Sequence, residues 1–312
     1  MTGAFIHGSH REWLRAAGLM AVTVSSGVVN PGLLIAVPFA LLVALRPPRS
    51  LLAVLLAGLG AAFVVVGAPD SGLWYVERGW ALLLGTFFVA VSIRWPECRF
   101  LGRGVGSVLG AFVGMGLLFG VRPGEWAIVD WAVKSRTEVL VSGLLQSIRT
   151  SVGPDAVPEG FEAQVLQAIT FQSFLFPALL GLTSLSALGC AWFLFRKLSH
   201  GPGEALGPLK DFRFNDQLVW ILIAGFVALL ASSGVVARVG VNAVVFMGAL
   251  YVLRGAGVVL AITGGFSLFG WILLAVGFVF LAPFVIMGAA FIGLGDTWFD
   301  LRRREGPVPP EV

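Results

Sequence analysis

Residues 268–304 read LFGWILLAVGFVFLAPFVIMGAAFIGLGDTWFDLRRR, an apolar run closed by two aspartates, a tryptophan and three arginines. A helix needs about 20 apolar residues to cross the hydrocarbon core of a bilayer. Tryptophan favours the membrane interface, and arginine clusters stay on the cytoplasmic side. We therefore predict that this stretch spans a membrane and is anchored by a cytoplasmic tail. The tail residues that carry this prediction are Asp296, Trp298, Asp300, Arg302, Arg303 and Arg304.

Composition places the rest of the chain in lipid as well. Of its 312 residues, 57% are hydrophobic and only 12% are charged, whereas a soluble domain carries roughly 25% charged residues. The formal net charge is +4, but the basic residues stand in short clusters between apolar runs, which is typical of membrane proteins and argues against nucleic-acid binding. The two cysteines, Cys98 and Cys190, form no CxxC motif, so neither a disulfide framework nor a metal site is predicted.

The apolar runs separate into candidate spans. Placing the N-terminus inside puts the basic residues of the short loops on one side, as the positive-inside rule requires. The candidate segments are 14–29, 32–45, 50–68, 79–93, 104–120, 166–195, 217–237, 239–262 and 268–293. The basic residues assigned to the inside are Arg11, Arg15, Arg46, Arg49, Arg94, Arg99, Arg103, Arg196, Lys197, Lys210 and Arg213.

The last third breaks this regularity, because three full spans after residue 216 would put the terminal arginines outside. The segment 239–267 contains Arg254 and the glycine-rich LRGAGVVLAITGG, so we predict that it is re-entrant or broken. The predicted fold is an all-α, polytopic membrane bundle of about eight spans plus this element, with both termini cytoplasmic. We divide it into 1–200, a six-helix core, and 201–312, the C-terminal helices and tail.

One long extramembrane stretch, 121–165, interrupts the spans. Its apolar residues from 140 to 148 recur at helical spacing, with polar residues on the other face. This pattern predicts an amphipathic helix along the outer surface. It packs on the tops of the spans or, alternatively, acts as a lid over a pocket.

Glycines recur every four residues on one face of the segment 104–120 and its flank. They are Gly102, Gly106, Gly110 and Gly114. Small residues let helix backbones approach closely in lipid, so this face predicts tight packing, within the chain or with another protein.

Polar groups in spans are costly and therefore mark candidate sites. Arg254 snorkels to a membrane face, plugs the re-entrant turn, or recognises an anionic ligand or lipid headgroup. Glu77 and Arg78 are expected to pair with each other at the interface. Asp296 and Asp300 share a face, but the adjacent arginines argue against a metal there. The neutral candidates, which make interhelical hydrogen bonds or ligand contacts, are Asn30, Gln172 and Asn242.

The sequence contains no HExxH, GxSxG or Walker motif, so we expect no enzyme and no cofactor. Residues 241–262, VNAVVFMGALYVLRGAGVVLAI, and 293–304, GLGDTWFDLRRR, resemble the YybS-like family of uncharacterised polytopic bacterial membrane proteins. Genes of that family often lie beside ribosomal-protein genes. The resemblance implies a protein of the bacterial cytoplasmic membrane with a housekeeping role.

The first six segments are also similar to the substrate-binding S component of energy-coupling-factor transporters. The stretch 31–67, PGLLIAVPFALLVALRPPRSLLAVLLAGLGAAFVVVG, carries the layout, and Ala17 and Ala21 match the small-residue pattern that docks on the membrane coupling partner. This resemblance implies a small-molecule binding or transport subunit that relies on a coupling protein and an ATPase module. The alternative is a membrane scaffold that recruits protein partners through the glycine face and the tail, in the cell envelope or near ribosomes.

Overall fold

The computed structural model describes residues 30–66, 73–152, 170–199 and 206–302. These residues form helices joined by short turns, and no strand occurs among them. The chain divides into two compact units, Met1–Ala205 and Leu206–Val312. The predicted span 14–29 lies outside the described residues.

Besides the short helical stretch 170–174, the described ranges of the first unit contain six helices. They are α1 (Pro31–Leu45), α2 (Leu51–Val65), α3 (Leu73–Arg94), α4 (Phe100–Val121), α5 (Pro123–Val152) and α6 (Phe176–Ser199). Helix α1 contacts α2, α3 and α6, while α4 packs against α3 and α6. Aromatic side chains fill the centre: Phe88 of α3 and Trp192 of α6 are fully buried and meet edge to face with ring centroids 6.1 Å apart. By contrast, α2 buries only Ala53 and Ala57.

Helices α1 to α4 and α6 alternate in direction, so the first unit has two distinct ends. At one end α1, α3 and α6 finish and α2 and α4 begin; here the Ser50 hydroxyl donates a 2.6 Å hydrogen bond to the Leu198 carbonyl. We call this the basic end, because six of the described arginines lie there. They are Arg46, Arg49, Arg94, Arg99, Arg103 and Arg196. At the opposite end, Arg78 Nε donates a 2.6 Å hydrogen bond to the Val64 carbonyl.

The described part of the second unit, residues 206–302, contains three helices joined and preceded by two short 3-10 turns and other turns. The 3-10 turns are Leu209–Asp211 and Asp216–Leu218, and the helices are α7 (Val219–Ala231), α8 (Gly234–Ile262) and α9 (Leu268–Phe299). Gly234, with φ of +65°, makes the tight turn from α7 into α8. Helix α7 packs on the first half of α8, and the second half of α9 packs on the second half of α8.

The expected break in 239–267 is wrong up to Ile262, because α8 runs unbroken for 29 residues. Its glycines serve as contact points. A Cβ on Gly240 would lie 2.6 Å from the Gly225 carbonyl of α7, and one on Gly255 would overlap the Ala289 carbonyl of α9. In lipid no water competes for the backbone, so glycines permit close packing without ending the helix.

The irregular helix is α9. Leu281 has non-helical φ and ψ of −127° and 26°, two residues before Pro283. Proline lacks an N–H and its ring clashes with the carbonyl of the preceding turn, which accounts for the kink. The kink separates Leu268–Phe278 from Phe280–Phe299.

Five described helices are long and apolar enough to cross a membrane: α3, α4, α6, α8 and the Phe280–Phe299 part of α9. Shorter apolar helices are α1, α2, α7 with its preceding turn, and Leu268–Phe278. Large apolar side chains are exposed along α2, α7 and α9, which suits contact with lipid rather than water. The all-helical, multi-span class is thus confirmed, while the count of about eight spans and the cytoplasmic termini remain predictions.

The predicted amphipathic segment forms α5 over its first part. Val129, Ala132 and Val133 are buried, and α5 contacts α3 and α4 at the end opposite the basic end. The side chains of Leu140, Val141, Leu144, Leu145 and Ile148, on which the amphipathic pattern rests, lie outside the described residues, as do 153–165.

Candidate functional site

Arg254 of α8 is the buried centre of an ion-pair network where α7 begins and α9 ends. Only 3% of its surface is exposed. Its Nε donates to Asp296 Oδ2 at 2.9 Å, its Nη1 to Asp216 Oδ1 at 2.6 Å and its Nη2 to the Asp296 carbonyl at 3.2 Å. The guanidinium also faces the Phe214 ring. A charge in apolar surroundings needs such partners, since desolvation of an unpaired charge costs several kcal/mol.

Arg302 closes the network from the C-terminal side. Its guanidinium donates to the backbone carbonyls of Lys210, Phe212 and Arg254 at 2.7, 3.0 and 3.2 Å, and it lies 3.8 Å from Asp296 Oδ2. Burial lowers the pKa of Arg302, and the charge of Asp296 opposes this. Arg302 therefore fixes the segment before α7 against the second half of α8, and the predicted role of the tail as a cytoplasmic anchor remains a prediction.

Asp300 makes the turn after α9 that directs Arg302 toward the segment before α7. It ends α9 in the left-handed conformation, with φ of 41°, and reverses the chain. Its carboxylate accepts a 2.6 Å hydrogen bond from Arg213. The structure thus brings Arg254, Asp296 and Arg302 together. On sequence alone, Asp296 and Arg302 are assigned to the tail and Arg254 to the candidate ligand-binding residues. Trp298 is exposed, as an interfacial residue would be.

The guanidinium of Arg254 donates its hydrogen bonds to protein oxygens, those of Asp216 and Asp296. Two aspartates and two arginines leave the network close to neutral, and its contacts tie together α8, α9 and the segment before α7. This arrangement favours a structural role for Arg254, and its recognition of an anionic ligand remains a prediction.

The neutral candidates lie apart. Asn30 caps α1 and accepts a 3.1 Å hydrogen bond from Gly32 N. Buried Asn242 donates to the Arg238 carbonyl, one turn earlier in α8. Gln172 is half-buried in the helical residues 170–174 of the first unit. Their predicted ligand contacts stay predictions.

The four glycines predicted to form one packing face of α4 lie in two different surroundings. A Cβ on Gly110 would lie 3.0 Å from Phe87, and one on Gly114 would lie 3.7 Å from Leu83, so both pack on α3. Gly102 and Gly106 are exposed, with open space beside them. Half of the predicted face therefore makes contact within the chain.

An apolar cleft lies between α3, α5 and α6, at the end opposite the basic end. Its lining residues are Leu73, Val76, Glu77, Trp80, Val133, Phe176 and Leu180. Glu77 is 8% exposed, and Arg136 of α5 donates a 2.5 Å hydrogen bond to Glu77 Oε1. Beside it, Trp80 Nε1 donates to Ser184 Oγ at 2.8 Å. The cleft thus combines apolar walls with one buried carboxylate.

The expected Glu77–Arg78 pair is wrong. Consecutive helical residues point to different faces, so Glu77 faces the cleft while Arg78 turns away. Arg78 stacks over Trp74 with its guanidinium carbon 3.8 Å from the ring centroid, and it bonds carbonyls at the end of α2. Sequence alone identified Glu77 as costly in a span but gave no signal for a partner 59 positions away.

Four predicted residues lie outside the described residues: Ala17, Ala21, Arg303 and Arg304. Among the residues that the structure describes, no group of three or more histidine, cysteine or acidic side chains is placed to hold a metal ion.

These features define a multi-pass helical membrane protein. A family model described as a predicted membrane protein (DUF2232) matches residues 18–297. The match covers most of the chain, so the chain belongs to this family. No curated protein matches the chain significantly, and no solved structure does. The resemblances to the YybS-like family and to transporter S components remain predictions.

Proposed function

We propose that the chain is a small-molecule binding or transport subunit whose ligand enters the cleft between α3, α5 and α6. The observation that carries this proposal is the buried Glu77 carboxylate in an apolar cleft, paired with Arg136 of α5. Ligand sites typically join apolar walls with a few polar groups that orient the ligand. An ionisable residue inside a membrane bundle is costly and is a default candidate for function.

The chemistry of the cleft limits the ligand class. An apolar molecule with a protonated amine or another strong donor would replace Arg136 on Glu77. Helix α5 then acts as a lid, because Arg136 must leave Glu77 for the ligand to bind. Because the sequence has no Walker motif, transport would need a coupling protein and an ATPase module supplied by other chains.

Native mass spectrometry of the protein, extracted from its own membrane in lipid-preserving discs, tests this proposal. We expect an organic ligand on the wild type, and at least about tenfold lower occupancy on Glu77→Gln, since a charge-assisted hydrogen bond is worth that order. The matched control is Glu138→Gln, which removes a half-exposed carboxylate of α5 outside the cleft and keeps the ligand.

Lipid alone, together with a reproducible protein partner, would overturn this proposal. The scaffold hypothesis would then hold, and Gly102 and Gly106 would be the surface that it uses, because both have open space on the exposed face of α4.

A further inference from the structure

Buried polar groups without a partner concentrate at the basic end of the first unit. Among the described residues, Arg46 Nη1, Arg196 Nε and the hydroxyls of Ser92 and Ser199 are buried and have no hydrogen-bond partner. Leaving such a group unsatisfied destabilises the fold, and more so when the group is charged. Several of them at one end of one bundle point to an acceptor that binds there.

One of these groups, Arg46, lies beside a buried aromatic ring. Trp192 of α6 is fully buried. The guanidinium carbon of Arg103 lies 4.4 Å from its ring centroid, and that of Arg46 lies 5.2 Å from it. Arg46 follows the end of α1 and Arg103 lies in the first turn of α4, so two helices bring a charge to the ring of a third.

Ser92 and Arg196 lie at the same level of the bundle. Phe88 and Trp192 are in edge-to-face contact across α3 and α6. Ser92 follows Phe88 by one helical turn, and Arg196 follows Trp192 by one turn, both toward the basic end. The Phe88–Trp192 pair thus forms an apolar floor, with hydroxyl and guanidinium donors one turn nearer the basic end.

Arg46 presents a buried guanidinium nitrogen without an acceptor, and a desolvated cation needs one. Burial lowers the pKa of Arg46, as desolvation does for a cation. An arginine serving only the positive-inside rule would stay solvated, as Arg94 does: it is exposed and stacks on the exposed Trp95. Arginine and serine are the donors that recognise phosphate oxygens.

We propose that the basic end of the first unit is a phosphate-binding site, in which Arg46, Arg196 and Ser92 donate hydrogen bonds to phosphate oxygens beside Trp192. The phosphate belongs either to the headgroup of an anionic phospholipid or to a soluble phosphate compound. This site is separate from the cleft at Glu77, at the other end of the same bundle.

The test uses the full chain in discs of phosphatidylcholine alone, in discs that also contain phosphatidylglycerol, and in the first discs with added inorganic phosphate. Native mass spectrometry counts retained phosphatidylglycerol, and thermal unfolding follows stabilisation by phosphate. The variants are Arg46→Gln and Arg196→Gln. The matched control is Arg94→Gln, which removes an exposed, tryptophan-stacked arginine from the same end.

We expect one tightly retained phosphatidylglycerol on the wild type and on Arg94→Gln, with about tenfold lower affinity in both site variants. Saturable stabilisation by inorganic phosphate, without retained lipid, supports the site with a soluble ligand. Equal behaviour of all four proteins, or binding of neither probe, overturns the proposal.

Ser92→Ala gives an independent readout if an arginine variant fails to fold. Removing an unpartnered buried hydroxyl should leave the ligand-free protein as stable as the wild type, or more stable, while weakening binding of the same probe. Unchanged binding in Ser92→Ala and in whichever arginine variant folds also contradicts the proposal.

Discussion

Removing one member of the Arg254–Asp296 pair leaves the other charge buried. Asp296→Asn keeps the size of the side chain but withdraws its charge from both Arg254 and Arg302. We expect it to lower the free energy of unfolding by about 3–5 kcal/mol, the range for breaking a buried ion pair. Equilibrium unfolding by SDS titration in mixed micelles measures this difference.

Asp300→Asn is the matched control. Its carboxylate pairs with Arg213, but both side chains are more than a third exposed, so we expect a loss under about 1 kcal/mol. Asparagine also tolerates the left-handed conformation of this position. Equal losses in the two variants would show that burial does not set the strength of these pairs.

At single residues, the sequence identified which charges are costly but not which groups neutralise them. Arg254 stood out because lipid penalises an unpaired guanidinium. Its partners Asp216 and Asp296 lie 38 and 42 positions away, and no local spacing rule relates them. Arg103 was assigned to a loop because it lies near a segment end, and its burial against Trp192 needed the packing of α4 on α6.

At the scale of helices, the contact of α8 with α9 depends on Gly255. A Cβ there would overlap the Ala289 carbonyl, which belongs to backbone and cannot rotate away. We expect Gly255→Ala to destabilise the protein by about 1–3 kcal/mol, as overpacking does, in the same SDS titration.

Gly248→Ala on the same helix is the control, because open space surrounds that position. We expect a change within about 0.5 kcal/mol. A stable Gly255→Ala variant would mean that α8 and α9 separate easily.

Helix positions followed from the sequence far better than helix continuity. The run 79–93 lies inside α3 and 104–120 inside α4, because apolar length decides what lipid accepts. Continuity depends on contacts instead. Backbone atoms of α7 and α9 occupy the space beside Gly240 and Gly255 of α8, and this helix stays intact. Pro283, in contrast, clashes with a carbonyl of its own helix and kinks α9.

For the whole molecule, the second unit restricts how the chain crosses the membrane. Arg302 binds the carbonyls of Lys210 and Phe212, so the segments before α7 and after α9 lie on the same side. The three helices between them therefore make an even number of full crossings. With 13 residues, α7 is about 20 Å long, shorter than the hydrocarbon core of about 30 Å, and is now the candidate for the helix that does not cross.

Cysteine labelling in intact cells tests this topology. In a background without Cys98 and Cys190, a cysteine at Lys210 and one placed after Arg304 should both resist impermeant thiol reagents. A cysteine at the exposed Gly124, at the opposite end of the first unit, should react and so prove that the reagent works. Opposite results at the two protected positions would contradict the contact of Arg302 with the segment before α7.

Arg302 reads only main-chain oxygens at Lys210, Phe212 and Arg254. Every residue type offers the same carbonyl, so this lock places no demand on the side chains at 210 and 212. The contact requires a guanidinium at 302. No other side chain combines the length and the several donors needed to reach three carbonyls and a carboxylate at once. Among members of the family we therefore expect 302 to stay arginine wherever 300 keeps a residue that can reverse the chain, whereas the contacts of Arg302 do not restrict the residue types at 210 and 212.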